Sequence, residues 1–201
     1  MRAPLLLGLL FACSPSDEDL QKNLKSPNPV VREDTAKIAR NYGSEVVRAA
    51  LIEVLADPSP TVRRNAVDSL AELEAVEAVP ALVAMLPNEA DPTVQRQIID
   101  ALGRLKDPAA VPVLLEILAA TPDKPPANVI WALGNIGDGR ALDALSALRV
   151  TEDPIQVWTT TAALRTVKGT GEAPAEGAVP AEGEAPAEGA PPSEGAPPAT
   201  P

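Results

Sequence analysis

The chain reads as an all-α protein, a solenoid of about five antiparallel helix pairs. Three observations predict this. First, a motif returns about every 31 residues, as Pro29-Val30-Val31-Arg32, Pro60-Thr61-Val62-Arg63 and Pro92-Thr93-Val94-Gln95. Ser69-Leu70-Ala71-Glu72-Leu73 is likewise answered by Ala101-Leu102-Gly103-Arg104-Leu105, Ala132-Leu133-Gly134-Asn135-Ile136 and Ala163-Leu164-Arg165-Thr166-Val167. Second, apolar residues within each copy fall at i, i+3, i+4, one stripe of an α-helix. Third, aromatic residues make up only 2% of the chain, so the core is left to Leu, Val, Ile and Ala, which permit close stacking. Units this short bury their apolar faces only against the next copy.

The elements follow in order. Residues 1–12 carry Arg2 and then an apolar run from Leu5 to Phe11. That run is too short to span a bilayer, which takes about 20 apolar residues, but it suits a cleaved export signal. Leu10-Phe11-Ala12-Cys13 resembles the lipobox of bacterial lipoproteins, with Phe11 a less usual occupant of its slot. The resemblance implies cleavage before Cys13, lipid on its sulfur and a short linker at 13–16. Ser14 rather than Asp follows the cysteine, which in that family favours the outer membrane, facing the periplasm. Cys13 is the only cysteine, so no internal disulfide forms. The competing reading is an incidental thiol beside a chance leucine run.

Residues 17–168 hold the repeats. First helices bury Leu20 and Leu24; Leu51, Val54 and Leu55; Leu82, Met85 and Leu86; Leu114, Ile117 and Leu118; Leu145 and Leu148. Second helices begin near a proline, which fits a first helical turn because its missing N–H has no role there. Connections are short and rich in Pro, Asp, Asn and Gly. Residues 169–201 are almost wholly Gly, Glu, Ala and Pro, with Ala-Pro-Ala-Glu-Gly at 173–177 and again at 185–189. Such a composition cannot bury enough apolar area to offset its ordering entropy, and it reads as a disordered tail.

Charge narrows the partners. Six of the 28 acids lie in the tail, and residues 13–168 keep 22 acids against 16 bases. An acidic body without a basic stripe gives no hold on nucleic acid. It offers none on anionic lipid either, so membrane attachment falls to the lipid on Cys13.

The repeats resemble the HEAT family, specifically the short HEAT-like repeats also found in phycobilisome lyases, within the armadillo-type superhelices. Asp57-Pro58-Ser59-Pro60-Thr61-Val62-Arg63 carries the turn-plus-second-helix signature. Ala78-Val79-Pro80-Ala81-Leu82 and Ala110-Val111-Pro112-Val113-Leu114 carry the first-helix opening. The resemblance implies a ladder between repeats in which the turn aspartate meets a helix arginine, making Asp57, Arg32 and Arg63 structural. Pro125-Pro126 replaces the Val-Arg pair and repeat five offers Gln156-Val157, so the ladder is not expected past repeat three.

Catalytic groups are scarce. The chain has no histidine, and its carboxylates fall in turns or on exposed helix faces, so no catalytic or metal site, cofactor or small-molecule substrate is expected. Asp17-Glu18-Asp19 reads as acids in a first helical turn, and Gly137-Asp138-Gly139 as a helix stop. A polar stripe runs along the second helices: Glu33, Lys37 and Asn41; Arg64, Asp68 and Glu72; Arg96, Asp100 and Arg104. The first two members of each set are expected to pair at i, i+4. In repeats four and five these places hold Ala127, Trp131 and Asn135, then Trp158, Ala162 and Thr166. Second helices line the concave side of HEAT solenoids, and Trp is enriched among residues that carry binding energy. Trp131 and Trp158, rimmed by Arg96, Asp100 and Arg104, are the candidate anchors for a protein or peptide partner. The alternative is that Trp158 caps the solenoid end and Trp131 packs beneath the Pro125-Pro126 turn.

The expected function is a non-catalytic, lipid-anchored scaffold or adaptor of the bacterial envelope. The alternative is an accessory subunit, chaperone-like or lyase-like, of a cofactor-loading enzyme.

Overall fold

The computed structural model describes residues 15–122, 124–148 and 154–169, and side chains in the last stretch from Thr159 onward. The leader, Cys13 and the tail beyond 169 lie outside these residues, as does the Trp158 side chain. Among the described residues ten α-helices succeed one another: α1 (Asp17–Leu24), α2 (Pro29–Ile38), α3 (Glu45–Val54), α4 (Pro60–Glu72), α5 (Val79–Met85), α6 (Pro92–Leu105), α7 (Val111–Ala120), α8 (Ala127–Ile136), α9 (Leu142–Ala147) and α10 (Pro154–Val167). Short 3₁₀ turns join many of them, and no strand occurs among the described residues.

The helices pair as α1/α2, α3/α4, α5/α6, α7/α8 and α9/α10. The even-numbered second helices form one continuous layer, each packed on the next from α2 to α10. The first helices lie behind it. Leu20, Leu51, Leu82, Leu114 and Leu145, one from each first helix, are fully buried, as are Val62, Leu70, Ile98, Leu102 and Leu133 of the second helices. One apolar seam thus runs the length of the stack.

Helix starts follow from local chemistry. At α1 the Ser16 Oγ accepts the Asp19 N–H at 3.2 Å and Asp19 Oδ2 accepts the Ser16 N–H at 3.2 Å, a reciprocal capping box. The Asp17-Glu18-Asp19 cluster is therefore the start of a helix. Pro29, Pro60, Pro92 and Pro154 stand at the first position of their helices, as the sequence predicts. Asn28 and Asp91 cap the turns before α2 and α6.

The second helices also end alike. Glu74, Lys106 and Gly137 take left-handed backbone, with φ of 51°, 54° and 71°. Gly137 in the fourth repeat, and Gly169 after α10 with φ of 69°, are glycines, which adopt this backbone without steric cost.

One repeat departs. Helix α8 has 10 residues, against 13 in α4 and 14 in α6. Pro125 is buried where Val62 and Val94 stand in earlier copies. The second proline disfavours helical backbone at the first, so α8 begins only at Ala127, one turn late.

Candidate functional site

The second-helix layer presents two sets of polar side chains. One lies at the start of the helices and joins each repeat to the next. Arg32 grips Asp57 with both arms of its guanidinium, Nε to Oδ2 at 2.6 Å and Nη2 to Oδ1 at 3.1 Å. Its Nη1 donates to the Ser26 carbonyl at 2.8 Å. Arg63 repeats the arrangement one copy on: Nε to Glu89 Oε2 at 2.8 Å, Nη2 to Oε1 at 2.6 Å, and Nη1 to the Asp57 carbonyl at 2.8 Å. In the third copy Gln95 Nε2 donates to the Glu89 carbonyl at 2.6 Å, and the charged rung is absent.

Each acid does two things. Asp57 Oδ1 also accepts the Ser59 N–H at 2.8 Å, and Glu89 Oε1 the Asp91 N–H at 2.9 Å, so each closes its own turn while holding the preceding arginine. Burial pushes the Asp57 carboxyl up, but the Arg32 and Ser59 hydrogen bonds and the nearby arginine charges outweigh it and hold the group below its ordinary value. The Arg63 hydrogen bond likewise lowers Glu89 against the opposing effect of burial. Glu89 takes the place that a repeat aspartate would fill. Its signal was available: it stands 32 residues after Asp57 and two before the Asp91-Pro92 cap.

The second set lies farther along the helices. Here the expected i, i+4 pairs are corrected. Glu33, Lys37 and Arg64 make no ion pair among the described residues. Asp68 instead reaches across repeats, to Arg40 Nη1 at 3.3 Å on one side and to Gln97 Nε2 at 3.1 Å and Arg104 Nη1 at 4.0 Å on the other. Arg40 also meets Glu72 at 2.8 Å. Neighbouring second helices pack closely enough that an acid finds its base on the adjacent rod rather than one turn away.

The candidate rim divides. Arg96 is exposed, whereas Asp100 and Arg104 are half-buried and both are engaged in polar contacts. Trp131 is half-buried and packs against the core. The reason is Gly103 on α6: a Cβ there would lie 2.8 Å from Trp131 Cζ3 and 2.8 Å from the Ala132 Cα. The indole lies over the gap that the missing side chain leaves, one edge seated on α6. Gly134 meets Ala163 of α10 more closely still, at 2.6 Å from Cα and Cβ for a Cβ added there.

Helix α8 carries no charged residue, and its outer positions Asn128, Trp131 and Asn135 share one face. Asn135 was named in the polar stripe but not as a site residue. Its Oδ1 is closed to solvent and has no hydrogen-bond partner among the described residues. A groove of about 520 Å³ opens against the shortened start of α8, lined by Ile99, Val113, Ile117 and Pro126, with Arg96, Glu116 and Asn128 beside them. It lies between repeats three and four, where the ladder stops.

Asp138, beside Gly137, caps the following turn and is held near a pKa of about 2, first by the Arg140 side chain and then by the Arg140 N–H. No group of three or more His, Cys, Asp or Glu suited to a metal occurs among the described residues. No described helix is long and apolar enough to cross a membrane.

The model of HEAT repeats matches in three overlapping segments, residues 17–94, 49–127 and 88–165. The chain belongs to the HEAT-repeat family. Its fold is similar to a chain in the CpcE–CpcF complex of phycocyanin lyase from Nostoc sp. PCC7120, with a TM-score of 0.64, 24% identity, and coverage of 84% of this chain and 70% of that one. It is also similar to an engineered protein from the Northeast Structural Genomics Consortium, with a TM-score of 0.56, 23% identity, and coverage of 77% and 80%. At these identities the likeness is one of fold. Among curated proteins no sequence matches this chain.

Proposed function

We propose that this HEAT-repeat protein is a non-catalytic scaffold or adaptor of the bacterial envelope. A lipid on Cys13 tethers it, at the outer membrane and facing the periplasm, and the second-helix face docks a protein or peptide. The observation that carries this reading is the asymmetry of that face. From α2 to α6 that face is charged, and Arg40, Asp68, Glu72 and Arg104 are engaged with one another across repeats. On α8 charge gives way to two amides and a half-buried indole. An uncharged patch with a large aromatic anchor and a polar rim has the composition of a docking centre. Lipid attachment would raise its effective concentration beside other envelope components.

The fold likeness to a phycocyanin lyase chain supports a second reading, an accessory subunit of a cofactor-loading enzyme. Fold alone does not carry that activity.

Two experiments test the proposal. Incorporation of labelled palmitate is expected in the full chain and absent from Cys13→Ala; incorporation that survives the substitution removes the anchor from this site. Crosslinking pull-down from envelopes is expected to lose specific partners in Trp131→Ala/Trp158→Ala. Equal recovery of every partner would count against the aromatic face.

A further inference from the structure

We infer that the α8 face is occupied, in the resting protein, by this chain's own C-terminal tail, with Asn135 clamping its main chain and Trp131 seating a proline. The inference rests on the reading of this face as a docking surface and adds its first occupant. Four observations lead to it.

The Asn135 Oδ1 is an acceptor that no donor among the described residues satisfies and that is closed to solvent. Leaving a buried acceptor unmet costs about 1–3 kcal/mol. A carboxamide that turns outward from the edge of a helix layer can accept an N–H and donate to a C=O at once, which a peptide unit supplies. Turning Asn135 outward toward such a unit relieves the deficit.

Trp131 lies one turn earlier on α8, half-buried, with its edge fixed on Gly103. A flat, prepositioned indole suits a proline ring in an extended segment, which arrives with little conformational entropy left to lose.

Position then selects the occupant. The second helices lie side by side in register, so the end of α10 stands next to the end of α8, where Asn135 is. Gly169 closes α10 with φ of 69°, and residues 170–201 leave from there. That tether gives the tail an effective concentration in the millimolar range.

Composition agrees. The tail is rich in proline and repeats Ala-Pro-Ala-Glu at 173–176 and 185–188, without a single Lys or Arg. Asn135 and Asn128 are seven residues apart on α8, about 10 Å at 1.5 Å per residue. Three extended residues span that distance. One unit therefore reaches from Asn135 over Trp131 to the groove, with its proline at the indole and its glutamate at the exposed Arg96.

The test uses the full chain with Cys13→Ser, Trp158→Phe and a nitroxide on Glu182→Cys, between the two units. The Trp131 indole N–H resonance is expected to lose at least about two-fold in intensity against the reduced label, as a tethered, millimolar ligand requires. The side-chain amides of Asn23 and Asn41, at the far end of the stack, serve as the unaffected reference. Adding Asn135→Ala, with helix content unchanged by circular dichroism, should restore the indole signal. Equal oxidised and reduced intensities would overturn tail docking, and broadening that persists in Asn135→Ala would overturn the clamp. Should the tail fail while partner recovery still drops in Trp131→Ala/Trp158→Ala, tail docking falls and the docking face stands.

Discussion

In repeats one and two, an arginine at the start of the second helix reaches into the next turn and takes hold of a carboxylate that is also closing that turn. From repeat three onward the joint is different. Gln95 keeps the hydrogen bond to its own turn but holds no acid. The helices meet instead through Gly103 on Ala132 and Gly134 on Ala163, at distances that admit no Cβ. The first joint fixes loop geometry through directional, charge-assisted bonds. The second fixes helix spacing by close packing of small residues and asks nothing of the exposed face. The comparison explains why the face of α8 can be free of charge and why a groove opens where one scheme hands over to the other.

The largest effect should come from removing a rung. Arg63→Met leaves the Glu89 side chain, 2% exposed, as an unpaired buried carboxylate, and should cost about 3–5 kcal/mol in urea unfolding. Arg63→Met/Glu89→Leu should recover most of that loss, because no charge is then left behind. The same rungs set the acid response. Both carboxyls lie below their ordinary values of 3.8 for Asp57 and 4.5 for Glu89. Their contribution is therefore present in full above the ordinary values and is lost as pH falls through them toward the lowered ones. Arg63→Met should flatten the Glu89 part of that acid limb.

A change in the second joint should come next. Gly134→Ala forces α10 away from α8 and should cost about 1–3 kcal/mol, read as earlier hydrogen exchange in α10 than in α2 and α4. Smallest is Arg40→Ala. Its partners Asp68 and Glu72 are about one-third exposed, and such pairs are worth about 0–1 kcal/mol. A loss as large as that of Arg63→Met would erase the distinction between the two sets of charges.

Much of this was legible in the sequence. Helix positions followed from the leucine spacing and the proline at each second-helix start. The pairing of Arg32 with Asp57 was implied by the resemblance to HEAT repeats. Glu89 was missed because its side chain is one carbon longer than the aspartate sought there, although its register was right. The reach of Asp68 across repeats was not legible, since spacing along one helix says nothing about the distance to the next. Half-burial of Trp131 had a signal in the column Ala71, Gly103, Gly134, where shrinking side chains announce a close approach. The orphaned oxygen of Asn135 had none, for it depends on which neighbours fail to reach it.

The central claim is that the uncharged end of the second-helix layer, not its ion-paired end, is the docking surface. Photo-crosslinking residues placed in cells at Asn128 and Thr166, and separately at Lys37 and Arg64, test it most directly. The account predicts discrete crosslinked species from the first pair and none from the second. Crosslinks from Lys37 and Arg64 with Asn128 and Thr166 silent would contradict it.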